Sequence, residues 1–415
     1  MKLTENAFVQ VLKIAPFRYL WLSQLISQTF LQLLFFSLMM LIYQITGSNS
    51  AVSVLVFLVT IPNIFLGALA GVLVDHWGRK PVMFFSHFVR AILVFCVFLS
   101  SESVGWLYTL VFGISVITQF FFPAEAGTIF ELVKDKKLLL TANSLFSITF
   151  FATVILGNVL AGPFLLHIGP HWTFLVVALA FLVASMFTFQ LPGTPVWVLR
   201  KGPEPLNFHK IFSDFLIGID HLYKTPIVRR GIYLLGISQI SIGVLGVIAP
   251  GFADKVLQIP VTDVSLLVMA PAATGMAIGA VVLGQFFRHT PREKLIRIGF
   301  FAAGIFLGTY ALVNKFGLPI IPTSVIFITI IGVANAFLDI PVNTMIQENT
   351  PEEVRSRVYG VVSSVIGLAG VFPIVFSGGL ADVVGVQVVM LLFGGTLFAL
   401  AFLYNKTQYA SNNPS

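Results

Sequence analysis

Charge is scarce in this chain of 415 residues: 10% are Asp, Glu, Lys or Arg, against 57% hydrophobic residues and a mean hydropathy of +0.96. So little polar surface cannot cover a soluble globule, which makes the chain an integral membrane protein. Cysteine is almost absent. The single Cys96 lies in an apolar run, excluding a disulfide framework and a cysteine metal site. The net charge is +7. In a soluble protein that would suggest nucleic acid; here basic residues are expected at the cytoplasmic face, where they set topology and meet anionic lipid, and nucleic acid is discounted as a partner. The sequence also lacks a nucleotide-binding loop, metal-ligand spacing, and a serine, histidine and acid set at one membrane depth. No cofactor, no metal and no enzyme activity are therefore expected. His167 and His171 come nearest to a metal pair, without carboxylate support. Lys2, Glu5 and Lys13 precede an apolar run of about thirty residues, longer than a signal-peptide core, so the N-terminus is expected to be retained.

Long apolar runs are what the chain has in abundance. A span needs about 20 apolar residues. Twelve runs qualify: 17–46, 51–74, 80–100, 104–131, 138–166, 171–191, 229–252, 262–287, 295–314, 319–347, 355–380 and 385–404. The expected fold is an all-α membrane protein of twelve transmembrane helices in two pseudo-symmetric six-helix bundles. With both termini inside, 21 of the 24 basic residues fall in cytoplasmic segments; Lys255 and Lys315 fall outside and Arg90 within a span. A missed helix would scramble that alternation. The domains expected are an N-terminal bundle (1–192), a linker (193–228), a C-terminal bundle (229–405) and a cytoplasmic tail (406–415). The linker opens on Pro192, Pro195, Pro203 and Pro205. Beyond them Phe208, Ile211, Phe212, Phe215, Leu216, Ile219, Leu222 and Tyr223 follow one helix face, predicting an amphipathic helix at the inner membrane surface.

The halves repeat with a period of about 215 residues, suited to duplicated bundles. Ser23-Gln24 recurs as Ser238-Gln239, and Asp75…Gly78-Arg79 corresponds to Arg288…Pro291-Arg292. Only the first copy keeps the acid.

The charged turn GVLVDHWGRK, Gly71 to Lys80, interrupts two apolar runs and must lie at a membrane surface, since each charge costs a few kcal/mol in hydrocarbon. It resembles the signature loop between helices 2 and 3 of the major facilitator superfamily, G-x-L-a-D-r-x-G-R-K. Gly71, Leu73, Asp75, Gly78, Arg79 and Lys80 match, and His76 replaces the usual basic residue. FFFPAEAGTIFELV, GIDHLYKTPIVRRGI and TPEEVRSRVYG resemble the branch that exports macrolides and siderophores. Gly157 and Gly162-Pro163 are similar to the glycine-proline motif of drug and proton antiporters, with Leu165-Leu166 where later glycines are expected.

Polar side chains inside the spans mark candidate site residues, because an unsatisfied amide in hydrocarbon must face a cavity or a partner. Gln24, Gln28 and Gln32 recur every four residues in the first span, as do Asn335, Asp339, Asn343 and Gln347 in the tenth. At 1.5 Å per residue these stripes are about 12 and 18 Å long. Gln119 and Glu125 in the fourth span and Gln239 in the seventh add to them. In the resembled fold, helices 1, 4, 7 and 10 surround the central cavity. Arg90 lies about 15 Å from the surface at Lys80, near the midplane. Asp339, Glu125 and Arg90 are the coupling candidates, since a carboxyl in a partly dehydrated cavity can carry a proton and a neighbouring arginine turns it into a structural pair. Glu131 is expected to join Asp75 and Arg79 in a cytoplasmic charge network. Prolines 62, 123, 163, 271, 341 and 373 are expected to bend their spans, and paired glycines to let helices slide.

The resemblance implies a secondary active transporter in the cell membrane that exports amphiphilic small molecules by rocking of its halves, coupled to protons or sodium. The alternatives are a lipid or lysolipid flippase, an uptake transporter, or a non-transporting receptor or membrane enzyme on the same scaffold.

Overall fold

The computed structural model describes residues 7–99, 103–193, 220, 223–287, 290–312 and 319–412. They are helical almost throughout, as an apolar chain in hydrocarbon requires, because an α-helix satisfies its own backbone. A short α1 (Ala7–Leu12) precedes α2 (Ala15–Thr46), α3 (Asn49–Trp77), α4 (Arg79–Leu99), α5 (Val104–Leu132), α6 (Lys136–His167) and α7 (Pro170–Phe189). Then come α8 (Pro226–Phe252), α9 (Ala270–Phe286), α10 (Arg292–Tyr310), α11 (Ile320–Glu348), α12 (Glu352–Val384) and α13 (Val386–Asn412). Helices α2 to α13 thus take the twelve expected places. Ten have stretches long and apolar enough to cross a membrane; the other two are α10 and α13, the latter apolar over Val386–Phe402.

Local chemistry sets the breaks. Gly78 and Gly385 follow the last residues of α3 and α12 with φ of 90° and 91°, a region that side chains disfavour, and so stop those helices within one residue of the next. Pro170 and Pro226 open α7 and α8, where a missing N–H costs nothing. One span is irregular at its start. Residues 262–287 do not form a single α-helix: a 3-10 turn at Val261–Asp263 and a wide π turn at Ser265–Met269 precede α9. Pro271 cannot donate to the carbonyl of Leu267 and stands in the first turn of α9, directly after the π turn. The predicted linker helix lies mostly outside the described residues; at its end Lys224 pairs with Asp220 at 2.6 Å.

The chain forms two compact units. The first comprises Met1–Ile45 and Phe57–Asn207; the second, Thr46–Val56 and Phe208–Ser415. In unit 1, α4 packs on α5 and α7, and Gly157 of α6 brings its backbone against Thr29, Gln32 and Leu33 of α2. In unit 2, α9 packs along α11 through Gly275 and Gly332, each lying against the other helix's backbone. Helix α12 lies along α8, and α10 along α11 and α13. A buried core including Phe252, Ile296, Phe300, Tyr310 and Leu338 fills unit 2.

Candidate functional site

Each unit holds a polar centre, and the two differ in charge. In unit 1, α2 presents Ser23, whose Oγ lies 3.1 Å from His87 Nε2 of α4 and 3.1 Å from Thr188 Oγ1 of α7, and donates to the Ala184 carbonyl. One turn beyond His87, Arg90 is fully buried. Its guanidinium lies 4.9 Å from the Phe121 ring centroid and 5.8 Å from that of Phe181, and none of its three nitrogens has a hydrogen-bond partner among the described residues. Cation–π contact with a desolvated guanidinium is worth about 2 kcal/mol. Desolvating an ion costs several kcal/mol, so the rings offset only part of the burial. Glu125 of α5 is also buried and interacts electrostatically with Arg90, but no direct ion pair joins them among the described residues.

The glutamines of α2 behave unequally. Gln24 donates to the Phe146 carbonyl at 3.5 Å, Gln28 is buried with both amide atoms unpartnered, and Gln32 is half-buried beside Gly157. Gln119 donates to Ser115 of its own helix at 3.2 Å.

In unit 2 the centre is an acid. Asp339 of α11 accepts from Ser238 Oγ at 3.0 Å and from Gln239 Nε2 at 3.3 and 3.4 Å, both on α8. Ser238 also lies 3.1 Å from Asn335 Oδ1. Asn343 turns back to the Asp339 carbonyl at 3.0 Å, and Gln347 is exposed. Ser238, Gln239, Asn335 and Asp339 therefore come together, whereas Asn343 spends its donor on its own helix. A cavity of about 350 Å³ between α9, α10 and α11 is lined by Leu283, Arg292, Pro341 and Thr344, and by none of Ser238, Gln239, Asn335 and Asp339.

At the Arg79 end of α4, Arg79 Nη1 pairs with Glu131 Oε1 at 2.8 Å and donates to the Gly127 carbonyl at 2.8 Å. Lys80 Nζ lies 5.5 Å from the Phe189 ring centroid. Gly71 and Asp75 are in α3, but the surroundings of Gly71 and the side chain of Asp75 lie outside what is described, as does Arg288. Sequence reasoning passed over His87 and the rings of Phe121 and Phe181. The signal was present, since His87 lies three residues before Arg90 on the same face.

A family model of the Major Facilitator Superfamily matches residues 20–373 and 231–413. Macrolide efflux protein A of Streptococcus pyogenes is 24% identical over 403 residues, 93% of this chain and 94% of that protein. Enterobactin exporter EntS of Shigella boydii serotype 18 is 26% identical over 360 residues, 85% of this chain and 82% of that protein. Among solved structures, the nucleoside transporter NupG matches with a TM-score of 0.73 at 15% identity, over 94% of this chain and 98% of that one, a likeness of fold alone.

Proposed function

The chain belongs to the Major Facilitator Superfamily, and we propose that this multi-pass membrane transporter exports amphiphilic small molecules by alternating access, driven by protons entering through Asp339. Relatives named for macrolide efflux and enterobactin export support the outward direction.

The observation that carries the proton reading is the set of partners around Asp339. Among the described residues its carboxylate receives only neutral donors, Ser238 and Gln239. It can take up a proton without breaking an ion pair. Once protonated, one oxygen becomes a donor, so a hydroxyl or amide of α8 must turn to accept it. Protonation is thereby tied to the contact between α8 and α11, and a substrate binding there competes with the proton. Glu125 beside Arg90 is the second coupling candidate. Gln24, Gln28, Gln32, Gln119, Gln239, Asn335 and Asn343 are proposed to line the substrate path. Gly71, Asp75, Gly78, Arg79, Lys80 and Glu131 are proposed to brace the cytoplasmic side, where basic residues meet anionic lipid. Asp75→Asn is then expected to slow turnover while leaving expression normal.

The test is transport in proteoliposomes against a panel of macrolides, siderophores and lysolipids, with a pH gradient imposed or collapsed. The expected result is accumulation against a gradient that disappears when the pH gradient is collapsed. Accumulation that follows a sodium gradient and ignores pH would contradict proton coupling.

A further inference from the structure

Helix α3 is divided between the units: its start, as far as Val56, belongs to unit 2, and from Phe57 onward it belongs to unit 1. Its first turn is fastened by Asp382 of α12. The carboxylate accepts from Ser48 Oγ at 2.6 Å, the Asn49 backbone N–H at 2.8 Å, Asn49 Nδ2 at 2.9 Å, the Ser50 backbone N–H at 2.9 Å and Ser50 Oγ at 2.7 Å. Five donors exceed the roughly four lone-pair sites of a carboxylate, so the group is saturated. Two are backbone amides at the start of a helix, where a negative charge is favoured. The seat around this contact is shaped by small residues. Gly378, one turn before Asp382, leaves no room for a Cβ against Ser53 and the Asn49 backbone, and Gly251 of α8 leaves none against the Asn49 side chain. Further along α3, Pro62 cannot donate to the carbonyl of Leu58, which removes one rung of the helix beyond the crossing into unit 1.

We propose that Asp382 is a releasable clasp: closed, it keeps the start of α3 with unit 2, and its opening lets that start move with unit 1 during transport. The proposal rests on the transporter reading but needs only that the units move; it does not depend on Asp339 carrying the proton. If the clasp stayed shut throughout, relative motion would have to be taken up by bending α3 on the way to Pro62.

The test uses the full chain in lipid nanodiscs with Cys96→Ala, carrying spin labels at Trp106→Cys and Ile321→Cys. These are exposed positions, one in each unit, at the starts of α5 and α11. The expected result is that Asp382→Asn shifts weight toward the longer of the distance populations, because an amide nitrogen cannot accept from the donors of α3. Ser48→Ala/Ser50→Ala, which removes two donors and keeps the carboxylate, is expected to shift it the same way by less. It keeps the test decisive should Asp382→Asn fail to fold. A distribution identical to the parent's in a folded variant overturns the clasp. Because the readout needs no substrate, that result alongside intact proton-driven transport would sink the clasp alone.

Discussion

At matching positions the two units carry the same ion pair around different polar centres. Arg79 at the start of α4 pairs with Glu131 near the end of α5 at 2.8 Å; Arg292 at the start of α10 pairs with Glu348 at the end of α11 at 3.0 Å. Inward of these pairs the likeness ends. Ser23 of α2 meets His87, one turn from the cation Arg90, and Gln24 turns to the Phe146 carbonyl, whereas Ser238-Gln239 of α8 holds the acid Asp339. Even the acids are displaced: Glu125 follows Pro123 by two residues and Asp339 precedes Pro341 by two. The duplication has kept the Arg–Glu pairs at these helix ends and let the interiors diverge. The asymmetry of the interiors is where we place the function.

The largest effect separating the units is expected at the buried charges. Arg90→Met removes the buried cation that interacts electrostatically with Glu125, and a buried charge left without compensation costs several kcal/mol. Thermal unfolding in detergent should show that loss, and Arg90→Met/Glu125→Gln should recover most of it. A double variant as unstable as the single would show that the two groups are not coupled. In unit 2, Asp339→Asn keeps its size and one accepting oxygen and should change unfolding far less.

Next in size is helix contact. Gly332→Ala forces a Cβ against the Ala272 carbonyl of α9, and Gly157→Ala one against the Thr29 carbonyl of α2. Overpacking of this kind costs about 1–3 kcal/mol, so both variants should unfold earlier in the same assay. Gly284, which has nothing within 4 Å of an added Cβ, supplies the control: Gly284→Ala should be neutral. Equal behaviour of all three would remove the close contacts from the account.

The smallest effect tests the likeness itself. Arg79→Gln and Arg292→Gln break partly exposed pairs, worth about 0–1 kcal/mol each. Their unfolding shifts should be small and similar. Arg79→Gln should be the larger, because its guanidinium also serves the Gly127 carbonyl.

Much of this architecture was legible in the sequence, because hydrocarbon leaves the backbone almost no choice. Apolar runs bounded by charge had to become helices, and the structure places α2 to α12 close to the runs, with a π turn at the start of the eighth, while α13 continues eight residues past its run to Asn412. The place of Arg90 inside a span followed from the apolar run around it. Its seating on Phe121 and Phe181 did not, since each ring comes from another helix and Phe is too common here, at 42 residues, to single one out. The clasp was hidden more deeply. Asp382 reads as an ordinary acid near a helix end, and Ser48-Asn49-Ser50 as an ordinary helix start; their pairing spans 333 positions. Nothing local records that Gly378 and Gly251 make room for it.

The central claim is that the coupling acid lies in unit 2. It is tested most directly by comparing Asp339→Asn with Glu125→Gln in proteoliposomes, measuring uphill export under an imposed pH gradient and downhill exchange without one. The account predicts that Asp339→Asn abolishes uphill export and preserves exchange, while Glu125→Gln retains uphill export. Uphill export by Asp339→Asn with unaltered pH dependence would contradict it and leave Asp339 a structural residue.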